Sequence, residues 1–152
     1  MSGTKKEIGP TGEALTAAVA HRRERMGLTY AELSRLLVRN GRDLAPLALR
    51  RIEAGTRRVD VDDLVALAAA LGCSPITLLV PPGVAADDVV ELTGVRDLAV
   101  TAERAWAWLT ASYPLRGDVL KFFGTLPRWE CDTMAENLGA HLGARRGQPQ
   151  PD

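Results

Sequence analysis

The sequence predicts a mostly α-helical protein, in which a compact domain of five short helices is followed by a small hairpin and further helices. Apolar residues recur at helical spacing over roughly the first half of the chain, which is the main signal for amphipathic helices. Glycine or proline stands where the predicted helices should end or begin. Beyond Pro82 the pattern changes to two short strand-like runs, so a different kind of segment is expected after the helical domain.

The first two helices are predicted over residues 13–26 and from Thr29 onward. Gly27 follows the first helix, and glycine readily adopts the left-handed conformation that ends a helix. Thr29 and Glu32 match a capping box, in which the threonine hydroxyl accepts from a backbone amide and the glutamate reaches back to the threonine amide. Residues 38–44 then interrupt the apolar spacing with turn-forming residues and predict an irregular connection.

Three more helices complete the predicted domain. The third is expected over residues 46–53, because proline suits the first turn of a helix and Gly55 provides the stop. Asp60 can cap a fourth helix over residues 61–71. A last helical turn or two should begin at Ser74 and the proline that follows it. Five helices within about 70 residues are enough for one compact core.

Charge is distributed unevenly along a chain that is formally neutral as a whole. Residues 1–58 hold 12 Lys and Arg against 6 Asp and Glu, whereas residues 59–152 hold 7 against 13. A basic first half and an acidic second half indicate a module that faces a polyanion, joined to a segment with another role. The acidic pair Asp62 and Asp63 fits the first turn of the fourth helix, where it complements the helix dipole.

The second half predicts a hairpin and at least one amphipathic helix. Strand-like runs at 88–93 and 97–101 flank a three-residue turn. Thr101 can cap a helix that continues to Ala111. Trp106 and Trp108 point to opposite sides of that helix, because two positions rotate by about 200°. We expect both rings in the protein's own core, one of them beside Leu109 and Tyr113; packing on another subunit is the alternative.

Shorter elements should follow, and they suggest how the chain divides. A helix is expected over 118–123, and Pro127 lies at the start of a final helix with an apolar stripe through Cys131, Met134, Leu138 and Leu142. We predict a basic helical domain at 1–83 that faces a polyanion, a dimerisation or regulatory extension at 84–144, and a disordered tail at 145–152.

Several other kinds of chemistry are not predicted. His21 and His141 are isolated and lack metal-ligand spacing to Cys73 or Cys131, so we expect no metal, no cofactor and no enzyme. The two cysteines are expected as free thiols. Neither a secretion signal nor a membrane span is apparent, so the expected location is cytoplasmic. Arginine outnumbers lysine 16 to 3, which is typical of a GC-rich bacterial genome.

Three motifs carry a resemblance to a known family: RRERMGLTYAEL (22–33), RRIEAGTRRVDVDDLVALAAALGCSP (50–75) and ITLLVPP (76–82). In this order and spacing, residues 13–80 resemble the lambda-repressor-like, Xre-type helix–turn–helix family. The resemblance implies a five-helix fold that binds double-stranded DNA. It also implies a homodimer and a role as a transcriptional regulator, more often a repressor than an activator.

The resemblance assigns roles to particular residues. The helix at 45–54 would enter the major groove, and the family's base-contacting positions correspond to Ala45, Pro46, Leu47 and Arg51. Helical spacing places Pro46, Leu47, Arg50 and Arg51 on the outward face of this helix, so base contacts are predicted for these four residues. Phosphate contacts are assigned to Thr29, Tyr30, Arg57 and Arg58. A structural ion pair is implied between Arg23 and Glu53.

The chain departs from the family pattern in two places. The connection before the third helix is about five residues longer than usual, and its Arg39, Asn40 and Arg42 either reach phosphates or form a solvated loop. Pro46 and Leu47 stand where polar side chains are usual; they can contact thymine methyl groups but cannot hydrogen-bond to a base edge.

These features leave two functions in competition. The first is a sequence-specific DNA-binding transcriptional regulator. The alternative is a protein-interaction module, antitoxin-like or directed at a phage or host factor, that keeps the helix–turn–helix scaffold. In that case Pro46, Leu47 and the tryptophans would contact a protein partner, partly through the C-terminal half.

Overall fold

A computed structural model describes residues 8–133 and shows a mostly helical chain, as predicted. The first part contains four α-helices and a short 3₁₀ helix. In chain order these are α1 (Pro10–Arg25), α2 (Tyr30–Arg39), α3 (Pro46–Glu53), α4 (Val61–Ala70) and the 3₁₀ helix Pro75–Leu79. The second part contains β1 (Val89–Val90), β2 (Val100–Thr101), α5 (Ala102–Leu109) and α6 (Val119–Phe123).

Local sequence determines where the helices begin and end. Thr29 and Glu32 form the predicted capping box: the Glu32 amide donates to the Thr29 hydroxyl at 3.2 Å, and the Thr29 amide donates to the Glu32 carboxylate at 2.8 Å. Asp60 caps α4 by accepting from the Asp63 amide at 2.7 Å. Gly27 has a φ of 65°. This left-handed conformation, which ends α1, is unfavourable for residues that have a Cβ.

One apolar cluster holds the four helices and the 3₁₀ helix together. Its fully buried members come from every one of these elements: Val19, Leu33, Leu37, Leu49, Ile52, Leu67 and Leu78. Each such side chain stabilises the fold by about 1.5–3 kcal/mol relative to exposure. The cluster fixes the outward face of α3, because Leu49 and Ile52 anchor its inward face.

The connection between α2 and α3 is folded onto the domain. Leu44 is buried, and its carbonyl oxygen accepts from the Ser34 hydroxyl at 2.7 Å. The Arg42 amide donates to the carbonyl oxygen of Leu37 at 2.9 Å. The prediction of an irregular segment is confirmed, but α2 runs to Arg39, so the connection begins later than residue 38.

The predicted hairpin is present but shorter than expected. β1 and β2 pair antiparallel, with Val89 opposite Thr101 and Val90 opposite Val100. Residues 91–99 connect them as an irregular loop instead of continuing the ladder. Leu92 is buried within that loop, in a second apolar cluster that contains Val90, Val100, Ala102, Ala105 and Leu115. A two-residue ladder therefore relies on this cluster for stability.

The expectation that Trp106 and Trp108 lie in the core is wrong. Thr101 caps α5 as predicted, accepting from the Arg104 amide at 3.3 Å, but α5 buries Ala102 and Ala105 against the hairpin. Trp106 and Trp108 are 44% and 37% exposed, and Tyr113 is 51% exposed. Small residues of α5 face the short hairpin and allow the helix to pack closely on it, so the tryptophans lie outside that apolar cluster.

The last described residues form two helical segments. α6 is capped by Asp118, whose carboxylate accepts from the Leu120 amide at 2.8 Å. Residues 128–133 are helical, and the Cys131 thiol lies 3.3 Å from the carbonyl oxygen of Phe123. The rest of the predicted apolar stripe (Met134, Leu138 and Leu142) and the tail at 145–152 lie outside the described residues, as does His141.

Two threonines connect the helical domain to the extension. The Thr93 amide donates to the Thr11 hydroxyl at 2.8 Å, and the Thr11 amide donates to the Thr93 hydroxyl at 3.2 Å. Gly9 lies against the same threonine, since a Cβ at position 9 would be 2.6 Å from the Thr93 hydroxyl oxygen. The start of α1 and the hairpin loop therefore approach each other closely.

Candidate nucleic-acid interface

The outward face of α3 carries exposed side chains of both apolar and cationic type. Pro46, Leu47, Arg50 and Arg51 are all exposed, while the opposite face is fully buried. Leu47 is 57% exposed. The helix is held by its inner face and presents two adjacent arginines. Each planar guanidinium can donate two parallel hydrogen bonds to the oxygens of a phosphate or to the edge of a guanine.

The start of α2 lies beside the cationic face of α3. The Arg50 guanidinium carbon is 5.2 Å from the centroid of the Tyr30 ring, and that of Arg23 is 4.3 Å from it. Such contacts between a guanidinium and an aromatic ring are attractive. Tyr30 thus joins α1, α2 and α3, and it places the first turn of α2 next to Arg50.

Arg23 and Glu53 form a buried ion pair, as the family resemblance implies. Arg23 Nε and Nη2 donate to the two carboxylate oxygens of Glu53 at 2.7 and 2.8 Å, and the Tyr30 hydroxyl donates at 2.9 Å. The side chains are 11% and 7% exposed. The bond to Glu53 holds the pKa of Arg23 above its usual value, and the same carboxylate raises the pKa of Tyr30.

The N-terminus of α2 offers backbone amides to an anion. The Glu32 amide is already bonded to Thr29, whereas the amides of Tyr30 and Ala31 lie in the first turn, which has no preceding intrahelical acceptor. The Glu32 carboxylate accepts from both the hydroxyl and the amide of Thr29, and these bonds lower its pKa. Its negative charge therefore lies beside the same helix end.

Sequence reasoning missed a buried carboxylate that joins two of the predicted phosphate-binding arginines. Asp63 is 1% exposed and accepts from Arg42 Nε at 2.7 Å and from Arg57 Nη2 at 3.1 Å. Arg42 also donates to Asp60 at 3.2 Å. The bond to Asp63 is the main cause that raises the pKa of Arg42. Asp63 does lie in the first turn of α4, but its burial shows a tertiary role beyond the predicted complement to the helix dipole.

The remaining predicted phosphate contacts lie at the ends of elements. Arg39 is the last residue of α2, and Asn40 follows as its C-terminal cap; both are exposed. Arg58 is also exposed and follows the turn after α3. These positions are accessible. Among the described residues, however, the side chains of Arg39 and Asn40 form no hydrogen bond or ion pair with the arginines of α3.

Within residues 8–133, no group of three or more His, Cys, Asp or Glu residues could hold a metal ion. Cys73 and Cys131 are free cysteines. Among the described helices, none has the length and apolar character needed to cross a bilayer.

The arrangement of α2 and α3 defines a helix–turn–helix domain: a capped first helix, a folded connection, and a second helix whose outer face carries arginines. Residues 19–78 match the family model described as HTH_3: Helix-turn-helix. This part of the chain is therefore a helix–turn–helix domain of the Xre, lambda-repressor-like type. Such a domain implies DNA binding and is typical of regulators that are not enzymes. No curated protein and no solved structure gave a match to the chain.

Proposed function

We propose that this protein is a sequence-specific transcriptional regulator that inserts the helix at 45–54 into the major groove of double-stranded DNA. The observation that carries the proposal is the pair of exposed arginines, Arg50 and Arg51, on a helix whose inner face is anchored by Leu49 and Ile52. A recognition helix must be rigid at its base and free at its outer face, and α3 meets both requirements.

Base contacts would divide between hydrogen bonds and apolar contacts. Arg50 and Arg51 can each donate two hydrogen bonds to a guanine edge, a contact worth about 1–3 kcal/mol of discrimination. Pro46 and Leu47 can pack against thymine methyl groups. Because these two side chains cannot hydrogen-bond to bases, sequence-dependent DNA shape would contribute more of the specificity than in a domain with polar residues there.

Phosphate contacts would surround this helix. Thr29 and Tyr30 offer the amino end of α2, which favours an anion. Arg58, Arg39 and Asn40 are exposed at neighbouring turns.

Arg42 and Arg57 already form ion pairs with Asp63, so in this proposal they must bind phosphate while they keep those ion pairs. Their recorded bonds use Nε and Nη2 of Arg42 and Nη2 of Arg57. A guanidinium has five N–H donors, so both groups retain donors for a phosphate. Asp63 would then hold two phosphate-binding groups in fixed positions and partly neutralise them.

The finer parts of the proposal rest on the family resemblance. We propose a homodimer that contacts two half-sites one or more helical turns apart, and a repressor rather than an activator. The extension at 84–144 would serve dimerisation or regulation. Its apolar cluster is distinct from that of the helical domain, and this separation supports the division near residue 83.

Selection of bound duplexes from a random pool, followed by variant analysis, tests the proposal. Arg51→Ala should reduce discrimination at one base pair of the selected site by about 1–3 kcal/mol while affecting random DNA less. Arg57→Ala should weaken every duplex alike and lower the salt slope by about one unit. Arg128→Ala, an exposed arginine of the extension, is the matched control and should change neither. Equal losses on selected and random DNA with Arg51→Ala would contradict the base-contact assignment.

A second candidate function is a protein-interaction module built on the same scaffold. The observation that favours it is the exposure of large apolar groups, with Leu47 57% and Trp129 69% exposed. A partner that covers α3 would make Leu47→Ala more damaging than Arg51→Ala. Its binding would also depend only weakly on salt, whereas groove binding depends on it steeply.

A further inference from the structure

A cleft lies where the helical domain meets the extension. It has a volume of about 280 Å³ and lies between α1, the 3₁₀ helix and the segment that leads into the extension. His21 and Arg22 line it from α1, Thr77 from the 3₁₀ helix, and Trp106 from α5. The remaining wall is mostly apolar, from Val80 to Val84. This volume is just below the range of about 300–1,000 Å³ that holds drug-sized ligands, so it suits a smaller molecule.

The cleft contains a cation without an anionic partner. Arg22 Nε is buried and has no hydrogen-bond partner among the described residues, and no carboxylate in residues 8–133 forms an ion pair with Arg22. The neighbouring Arg23 differs, since Glu53 neutralises it. A buried donor that lacks an acceptor is costly, and native proteins rarely leave one unexplained.

The thiol of Cys73, which lies near Arg22, does not supply the missing negative charge. Burial raises the pKa of this thiol above its usual value, although the nearby Arg22 guanidinium favours the thiolate. At neutral pH the thiol is therefore protonated and carries no charge. The cleft accordingly combines an unneutralised guanidinium with apolar walls.

We propose that this cleft binds a small carboxylate that carries an apolar ring. A carboxylate matches the planar fork of Arg22 through charge-assisted hydrogen bonds. The ring would lie against Val80, Pro81 and the indole of Trp106. An inorganic anion would use only the guanidinium and leave the apolar walls without contact. A neutral apolar molecule would leave Arg22 Nε unsatisfied.

This site is separate from the DNA-binding face and does not depend on the proposed function. Both the helical domain and the extension line it, so a ligand bound there would stabilise their contact. Arg22 also precedes Arg23, whose side chain holds the end of α3 through Glu53. Ligand binding can be measured without DNA, so its failure is distinguishable from a failure of DNA recognition.

Tryptophan fluorescence of the full chain provides the assay. In a Trp108→Phe, Trp129→Phe background, Trp106 is the only tryptophan and lines the cleft. Benzoate and cyclohexanecarboxylate serve as probes. Each should change the fluorescence saturably, with a dissociation constant on the order of 1 mM for such small ligands. Benzamide, the neutral analogue of benzoate, should bind at least about tenfold more weakly, because it lacks the charge.

Variants locate the site. Arg22→Gln should weaken benzoate binding at least about tenfold, and Thr77→Phe should abolish it by filling the cleft while the guanidinium remains. Arg25→Gln changes an exposed arginine of the same helix and should leave binding unaltered. Circular dichroism confirms that each variant is folded. Absence of saturable binding by both carboxylates, or equal losses with Arg22→Gln and Arg25→Gln, would overturn the proposal.

Discussion

Replacement of Glu53 by alanine should destabilise the helical domain far more than a typical surface substitution. The Glu53 side chain is 7% exposed and accepts three hydrogen bonds, two from Arg23 and one from the Tyr30 hydroxyl. Its loss leaves the Arg23 guanidinium, itself 11% exposed, without a carboxylate partner in the buried position. Breaking a buried pair in this way costs about 3–5 kcal/mol, a large share of the 5–15 kcal/mol that typically stabilises a domain.

Urea unfolding followed by circular dichroism at the helical band provides the measurement. Tryptophan fluorescence is unsuitable because all three tryptophans lie in the extension, at positions 106, 108 and 129. Glu24→Ala is the matched control: Glu24 also contacts Arg23, at 3.4 Å, but is 69% exposed. It should cost less than about 1 kcal/mol, as exposed ion pairs do.

A double-mutant cycle separates the pair from the individual residues. Arg23→Leu combined with Glu53→Leu should be more stable than Glu53→Leu alone, because the double variant leaves no buried charge unpaired. The reasoning is refuted if Glu53→Ala costs no more than Glu24→Ala. It is also refuted if the effects at positions 23 and 53 simply add.

Three further predictions address caps, packing and pKa. Thr29→Ala removes the hydroxyl that caps α2 and should lower the free energy of unfolding by about 1 kcal/mol in the same urea assay. Gly9→Ala places a Cβ 2.6 Å from the Thr93 hydroxyl oxygen, so hydrogen exchange at the Thr93 amide should accelerate. Adding Thr93→Ser should not restore the slower exchange, because serine keeps the hydroxyl. In a Cys131→Ser variant, alkylation of Cys73 should be slower than that of a free thiol at pH 7–9, because its pKa is raised and the thiolate forms only at higher pH; equal rates would contradict the burial argument.

The helical domain follows closely from local sequence signals. α3 begins at Pro46 and ends at Glu53 as predicted, because a proline in the first turn and a glycine two residues after the end are both strong local determinants. The capping box at Thr29 is equally local. These signals act between residues no more than four positions apart, so the helix ends can be predicted from a single sequence.

The extension was predicted less well, because its structure depends on contacts between distant residues. The runs at 88–93 and 97–101 have a composition that suits strands. Only two residues of each run, however, are paired with the opposite strand. Leu92 instead turns into the apolar cluster, and Asp97 adopts a φ of 57°, which no strand allows. Likewise, α5 packs through Ala105 and not through its tryptophans, because the neighbouring hairpin determines which face of the helix is covered.

The site shows the same division between local and tertiary information. Arg50 and Arg51 could be assigned because the helix phase alone determines which side chains face outward. The contact of Asp63 with Arg42 could not be assigned, since it joins residues that are 21 positions apart in the sequence. The resemblance supplied the pair of Arg23 and Glu53 but not this second ion cluster.

The salt dependence of binding to a random duplex tests the central claim most directly. If the arginine-bearing face of α3 and its neighbouring turns contact the DNA backbone, the logarithm of the binding constant should fall linearly with the logarithm of salt concentration, by about 0.9 per phosphate contacted. The slope should become shallower when Arg57 and Arg58 are replaced by alanine. A folded protein that binds no duplex at low salt, or binds with a flat salt dependence, would contradict the account.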